Sequence, residues 1–117
     1  MITQIVTRDG LPPIKFTGEE IGMGTTKNHS STRWSIVVIY ATKAGKFVVA
    51  IETITQWQGE TDSFSASSFA TAREVIDWLG RDTGEGDGKL DRASQDAVER
   101  AAKNSEAFAL AWCETVD

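Results

Sequence analysis

The sequence predicts a small α+β protein, an antiparallel sheet of four or five strands with two C-terminal helices packed on one face. Three observations carry this. Residues 34–57 are the only strongly apolar run, rich in Val, Ile, Tyr and Phe and interrupted once by Lys43-Ala44-Gly45, which reads as a β-hairpin. Beyond residue 70 the apolar period lengthens from that of a strand to that of a helix. The chain of 117 residues suits one domain spanning residues 1–117, because two would each be too small to hold a core unaided.

Taken in order, residues 2–7 suit a first strand. Asp9-Gly10 followed by Pro12-Pro13 then imposes a turn, since proline fixes φ and glycine admits positive φ. A second strand starts near Ile14. Its apolar positions switch parity between Phe16 and Ile21, so a bulge near Gly18-Glu19 is expected to bring Ile14, Phe16, Ile21 and Met23 to one face. Gly22 and Gly24 read as weakening the end of that strand. Residues 25–33 form a polar loop.

In the hairpin Gly45 is expected in the left-handed region. A three-residue loop would pair Thr42 with Lys46, and a four-residue loop would pair Ala41 with Lys46. The two registers put Trp34, Ile36, Val38 and Tyr40 on opposite faces relative to Phe47, Val49 and Ile51. In either register the last three share a face, which is assigned to the core. Residues 63–69 form a last strand or an extended entry to a helix. Thr71 and Glu74 match a capping box, Val75, Ile76 and Leu79 form the buried side of the first helix, and Gly80 is read as its end. A second helix begins near Asp91 or Ser94 and continues through Ala97, Ala101, Phe108 and Trp112. Its many alanines imply close approach to the sheet.

The net charge of −5 is unevenly placed. Residues 1–58 carry 4 acids and 6 bases, whereas residues 59–117 carry 13 acids and 6 bases. An acidic balance of this kind disfavours direct nucleic-acid binding, which requires a basic face; it serves solubility, the plainer reading, or favours a protein partner that is itself basic or nucleic-acid-binding. The uncharged apolar runs are too short to span a bilayer, so no membrane is expected, and the cytoplasm is the expected location. Cys113 is the single cysteine, so no internal disulfide forms.

Arg33-Trp34, then Tyr40-x-Thr42, Gly45-Lys46-Phe47-Val48-Val49 and Trp57-x-Gly59-Glu60-x-Asp62 form a pattern. It resembles small uncharacterised bacterial proteins carried by plasmids, phages and integrative elements. The resemblance implies the fold just described and a mobile-element setting, in which small acidic proteins include inhibitors of host defence such as anti-CRISPR proteins. It implies no catalytic residue.

Several clusters could carry chemistry. Residues 83–94 follow part of an EF-hand loop: Glu85, Asp87, Gly88 and Asp91 fall on its third, fifth, sixth and ninth positions. Thr83 and Ser94 replace the first Asp and the bidentate Glu, so an acidic surface turn is the plainer reading. The Gly84, Gly86 and Gly88 repeat lacks the flanking residues of a phosphate cradle. Glu60 and Asp62 beside Trp57 could form a carboxylate pair for acid–base or hydrolytic work, with His29 and its neighbouring hydroxyls as a further group. A turn closing the sheet edge and an exposed loop histidine are the plainer readings. Cys113, late in an amphipathic helix, reads as a small buried residue.

Trp34, Trp57, Trp78 and Trp112 are mostly core candidates, and any exposed one would be a contact anchor, Trp78 foremost. The leading expectation is therefore a non-enzymatic protein-interaction module that needs no cofactor and meets a basic partner through its acidic half. Trp57, Glu60, Asp62, Trp78, Glu85, Asp87 and Asp96 are its candidate contacts. The alternative is a small calcium-binding or hydrolytic domain using residues 82–91 or Glu60, Asp62 and His29.

Overall fold

The structure is a computed structural model that describes residues 1–82 and 89–113. Five strands, β1 (Ile2–Val6), β2 (Ile14–Thr25), β3 (Arg33–Thr42), β4 (Phe47–Thr55) and β5 (Ser63–Phe69), form one antiparallel sheet in sequential order. The helices α1 (Ala72–Asp82), α2 (Arg92–Asn104) and α3 (Glu106–Ala111) cover one face. The α+β class and the helix-covered sheet are as the sequence predicts. The helix count is not, since three helices stand among the described residues where two were expected.

The β3–β4 hairpin occupies the middle of the sheet. Its register pairs Ala41 with Phe47, Ile39 with Val49 and Val37 with Ile51. The Thr42 N–H donates to the Lys46 carbonyl at 2.9 Å, which selects the three-residue loop, and Gly45 takes the left-handed conformation at φ 83°. Phe47, Val49 and Ile51 therefore face the helices together with Val37 and Ile39. Trp34, Ile36, Val38 and Tyr40 face the other way.

The β2 bulge falls between Glu20 and Gly22, later than the parity of the sequence suggests. It places Met23 opposite Val38, on the face shared by Ile14 and Phe16, while Ile21 enters the helix-side core. Gly22 and Gly24 then lie against α2. A Cβ added at Gly22 would stand 2.2 Å from the Ala97 carbonyl oxygen, and one at Gly24 would stand 2.0 Å from that of Ala93. These glycines seat the helix. With Ala93, Ala97 and Ala101 fully buried, α2 meets β2 nearly backbone to backbone.

α1 starts at the expected cap, but the reciprocal bond is made differently. Glu74 N–H donates to Thr71 Oγ1 at 3.2 Å, and that hydroxyl donates to the Glu74 carboxylate at 3.1 Å. Gly80 does not end the helix, which continues to Asp82. α2 is capped by Asp91, whose carboxylate accepts from Ser94 N–H at 2.8 Å. The alanine stripe is not one helix either. Ser105 is extended at φ −146°, and Asn104 turns its amide onto the Ile21 carbonyl at 3.0 Å. The break lets α3 swing Phe108 onto Phe47, edge to face at 5.0 Å.

The second face is concave and holds a smaller cluster of Val6, Val48 and Ala66, with Ile14, Phe16, Tyr40 and Ala50 against it. Its curvature is fixed at one point. Asp9 N–H donates to the Phe64 carbonyl and Phe64 N–H donates to the Asp9 carboxylate, both at 2.9 Å, so the β1–β2 turn reaches across to β5. The sheet is thereby a half-barrel. Among the described residues, no helix is long and apolar enough to cross a membrane.

Candidate interaction site at the Trp57 rim

Arg33 and Thr55 are cross-strand partners at the open end of the central hairpin, and the loops 26–32 and 56–62 leave the sheet beside them. The two loops are tied together by Gln56 N–H donating to the Thr32 carbonyl at 2.8 Å. In the second loop Gly59 adopts φ 85°, a value that favours glycine, and this returns the chain toward β5.

Arg33, Thr55, Trp57, Glu60 and Asp62 are joined at this rim by side-chain hydrogen bonds. Arg33 forms a two-pronged ion pair with Glu60, Nε to Oε1 at 2.9 Å and Nη2 to Oε2 at 2.6 Å. The Thr55 hydroxyl donates to Glu60 Oε1 at 2.6 Å, and Asp62 accepts from Thr55 N–H at 3.0 Å. Trp57 donates its indole N–H to Thr32 Oγ1 at 2.9 Å, with the Arg33 guanidinium 5.4 Å from its ring centroid. The indole is thus held by two neighbours while 54% of the residue remains exposed. A second cation, Lys27, lies 4.6 Å from the ring centroid of buried Trp34.

The electrostatics follow from this geometry. The hydrogen bonds from Arg33 and then Thr55 hold the Glu60 carboxyl below its ordinary value, and Arg33 is raised in turn by Glu60. Glu60 is therefore ionised near neutral pH, with both oxygens engaged. A carboxylate in that state suits a structural clamp better than a proton donor. The hydroxyls around His29 are likewise occupied: Ser30 donates to the Asn28 side chain, Ser31 accepts from Asn28 N–H, and Thr32 accepts from Trp57.

The remaining candidates are dispersed. Trp78 is partly buried, its ring 5.3 Å from that of Phe69. Asp96 is partly buried on α2, and Asp91 serves as its N-cap. Glu85 and Asp87 lie outside the described residues, as do most positions of the EF-hand-like stretch. Cys113 is exposed, contrary to the reading of it as a buried residue, because α3 ends before it. Among the described residues, no group of three or more His, Cys, Asp or Glu could hold a metal ion.

The charge of the helical layer is nearly balanced where it is described. Glu74, Asp77, Asp82, Asp91, Asp96, Glu99 and Glu106 exceed Arg73, Arg81, Lys89, Arg92, Arg100 and Lys103 by one. The rest of the acid excess of the second half therefore resides in Glu60 and Asp62 at the rim and in Glu85, Asp87, Glu114 and Asp117. Arg33 and Thr55 are rim residues that sequence reasoning did not single out as candidates, and Thr32 entered it only as a hydroxyl beside His29. Arg33 and Glu60 are 27 positions apart, and only the hairpin register brings them together.

No protein-family model, curated protein or solved structure matches the chain. The resemblance to mobile-element proteins accordingly rests on its sequence pattern.

Proposed function

We propose that the protein is a non-enzymatic interaction module whose contact anchor is Trp57, braced by Arg33 and Thr32. The observation carrying this reading is an exposed indole whose orientation is fixed before any partner arrives. Such a side chain loses little conformational freedom on docking, and Trp and Arg are the residue types most enriched at interface hot spots. The candidate acids, Glu60 and Asp62 at the rim, Asp96 on α2 and Glu85 and Asp87 in the sequence between the helices, would attract a basic protein over long range. In this reading the partner is a basic or nucleic-acid-binding protein of the cytoplasm, met without direct nucleic-acid contact. The chain then serves a mobile element as an accessory or counter-defence factor of the anti-CRISPR kind, a setting supported by the sequence pattern alone.

The test is affinity capture from the native host with three baits: the wild-type chain, Trp57→Ala, and the triple reversal Glu85→Lys/Asp87→Lys/Asp96→Lys. The anchor reading expects one protein retained by the wild type and lost with Trp57→Ala, circular dichroism being unchanged. Loss with the triple reversal, deepened at low salt, would report steering. Retention unaltered by either bait would overturn the reading.

A further inference from the structure

At the opposite end of the central hairpin from Trp57, a cleft of about 350 Å³ opens beside the turn at residues 43–45. We propose that this cleft binds small amphipathic carboxylates, an apolar chain ending in one carboxylate group. The site is distinct from the Trp57 rim, and the proposal does not depend on the interaction reading.

The lining has two chemistries. Ile14, Phe16 and Val48 supply an apolar side drawn from the concave-face cluster, and Phe16 is held there edge-on to Tyr40 with ring centroids 5.1 Å apart. Lys43 and Lys46 supply the charge, Lys15 bordering the cleft from β2 with its side chain on the other face from Ile14 and Phe16, and none of the lining residues is acidic. In a chain of net charge −5, two lysines beside one apolar cleft form a local reversal of sign.

The walls are fixed independently of any ligand. Lys43 N–H donates to the Thr17 carbonyl at 2.8 Å, tying the turn to β2. Lys46 N–H donates to the Thr42 hydroxyl at 3.0 Å, and left-handed Gly45 sets the path between them. The lysine stems thus spring from a braced backbone, although the ammonium groups keep their own reach.

The ligand class follows. An ion without an apolar body would leave Phe16 and Val48 wet, and an apolar molecule without charge would leave the lysines with no counterion. Lysine presents a compact point charge and lacks the planar fork of arginine, so it suits a single terminal head group. The cleft volume lies near the lower end of ligand pockets, which run from about 300 to 1,000 Å³, and this selects a medium-length chain.

The experiment compares octanoate, acetate and octanol as probes of the wild-type chain, followed by amide shifts of Lys46, Val48 and Ser68 in two-dimensional NMR. The expected result is saturable shifts with octanoate alone, weakened by added salt. Lys43→Glu/Lys46→Glu should raise the octanoate Kd about tenfold or more, as two reversed exposed charges allow. Trp57→Ala should leave it unchanged. Equal shifts with acetate would reduce the site to unspecific attraction by lysines. Equal shifts with octanol would remove the role of charge. Either result, or the absence of saturation with octanoate, overturns the proposal, and these comparisons need no variant to fold.

Discussion

Where β2 meets α2 the sheet is buried by another element at backbone distance, whereas on its concave side it is buried by its own curvature. The first contact depends on the absence of side chains: Gly22 and Gly24 on one partner, Ala93, Ala97 and Ala101 on the other. The second depends on their presence, with Phe16, Tyr40 and Val48 filling a shallow bowl that one pair of hydrogen bonds at Asp9 holds in shape. A close-packed contact has no room for change, and a curved open one does. Both candidate sites, the Trp57 rim and the lysine-lined cleft, lie away from the α2 seat, where surface remains exposed for a partner or ligand.

The comparison can be broken at the helix seat with the largest effect. Gly24→Ala places a methyl group where the Ala93 carbonyl oxygen already stands, so α2 must lift from β2. The expected cost is about 3 kcal/mol, at the upper end of ordinary overpacking, read as a lower urea midpoint. A stability equal to wild type would mean that the helix seat is loose. A smaller loss is expected on the concave side. Asp9→Ala removes the acceptor of Phe64 N–H and should cost about 1 kcal/mol, with chemical-shift changes confined to the β1–β2 turn and β5. Changes spreading to α2 would show that the two faces are coupled.

The smallest effect is at the rim and depends on pH. Glu60 lies below its ordinary pKa of 4.5 in the folded protein because Arg33 and Thr55 donate to it. A lowered folded value means that the unfolded chain takes up the proton first. Its contribution is therefore present above about pH 4.5 and fades as pH falls through the folded value. Denaturation of wild type and Glu60→Gln should differ slightly at pH 7, and the gap should narrow as the pH falls below 4.5. A gap that persists at low pH would remove the ion pair as its source.

The hairpin, its core face and the capping residues Thr71 and Asp91 were legible in the sequence because each depends on neighbours within a few positions. What stayed hidden depended on contacts across the chain. Gly22 and Gly24 read as weak points in a strand, since nothing local displays the helix that needs their bareness. The alanine stripe read as one helix because its spacing runs unbroken past Ser105, although Asn104-Ser105 carries residues that commonly end one helix and start the next. The Arg33–Glu60 clamp was hidden for a different reason. Both residues stood in the sequence pattern, yet their meeting required the choice between two hairpin registers, which the Thr42–Lys46 closure makes.

The Asp9–Phe64 closure has a kinetic consequence. It joins residues 55 positions apart, so its entropy of loop closure is recovered only after most of the sheet has formed. The clasp is therefore among the last contacts made in folding and among the first lost in partial opening. Hydrogen exchange at the Phe64 amide should follow the opening of the half-barrel alone, while the amides of buried β3 residues should exchange only on global unfolding. One backbone amide thus reports how often the bowl between the strands comes open to solvent.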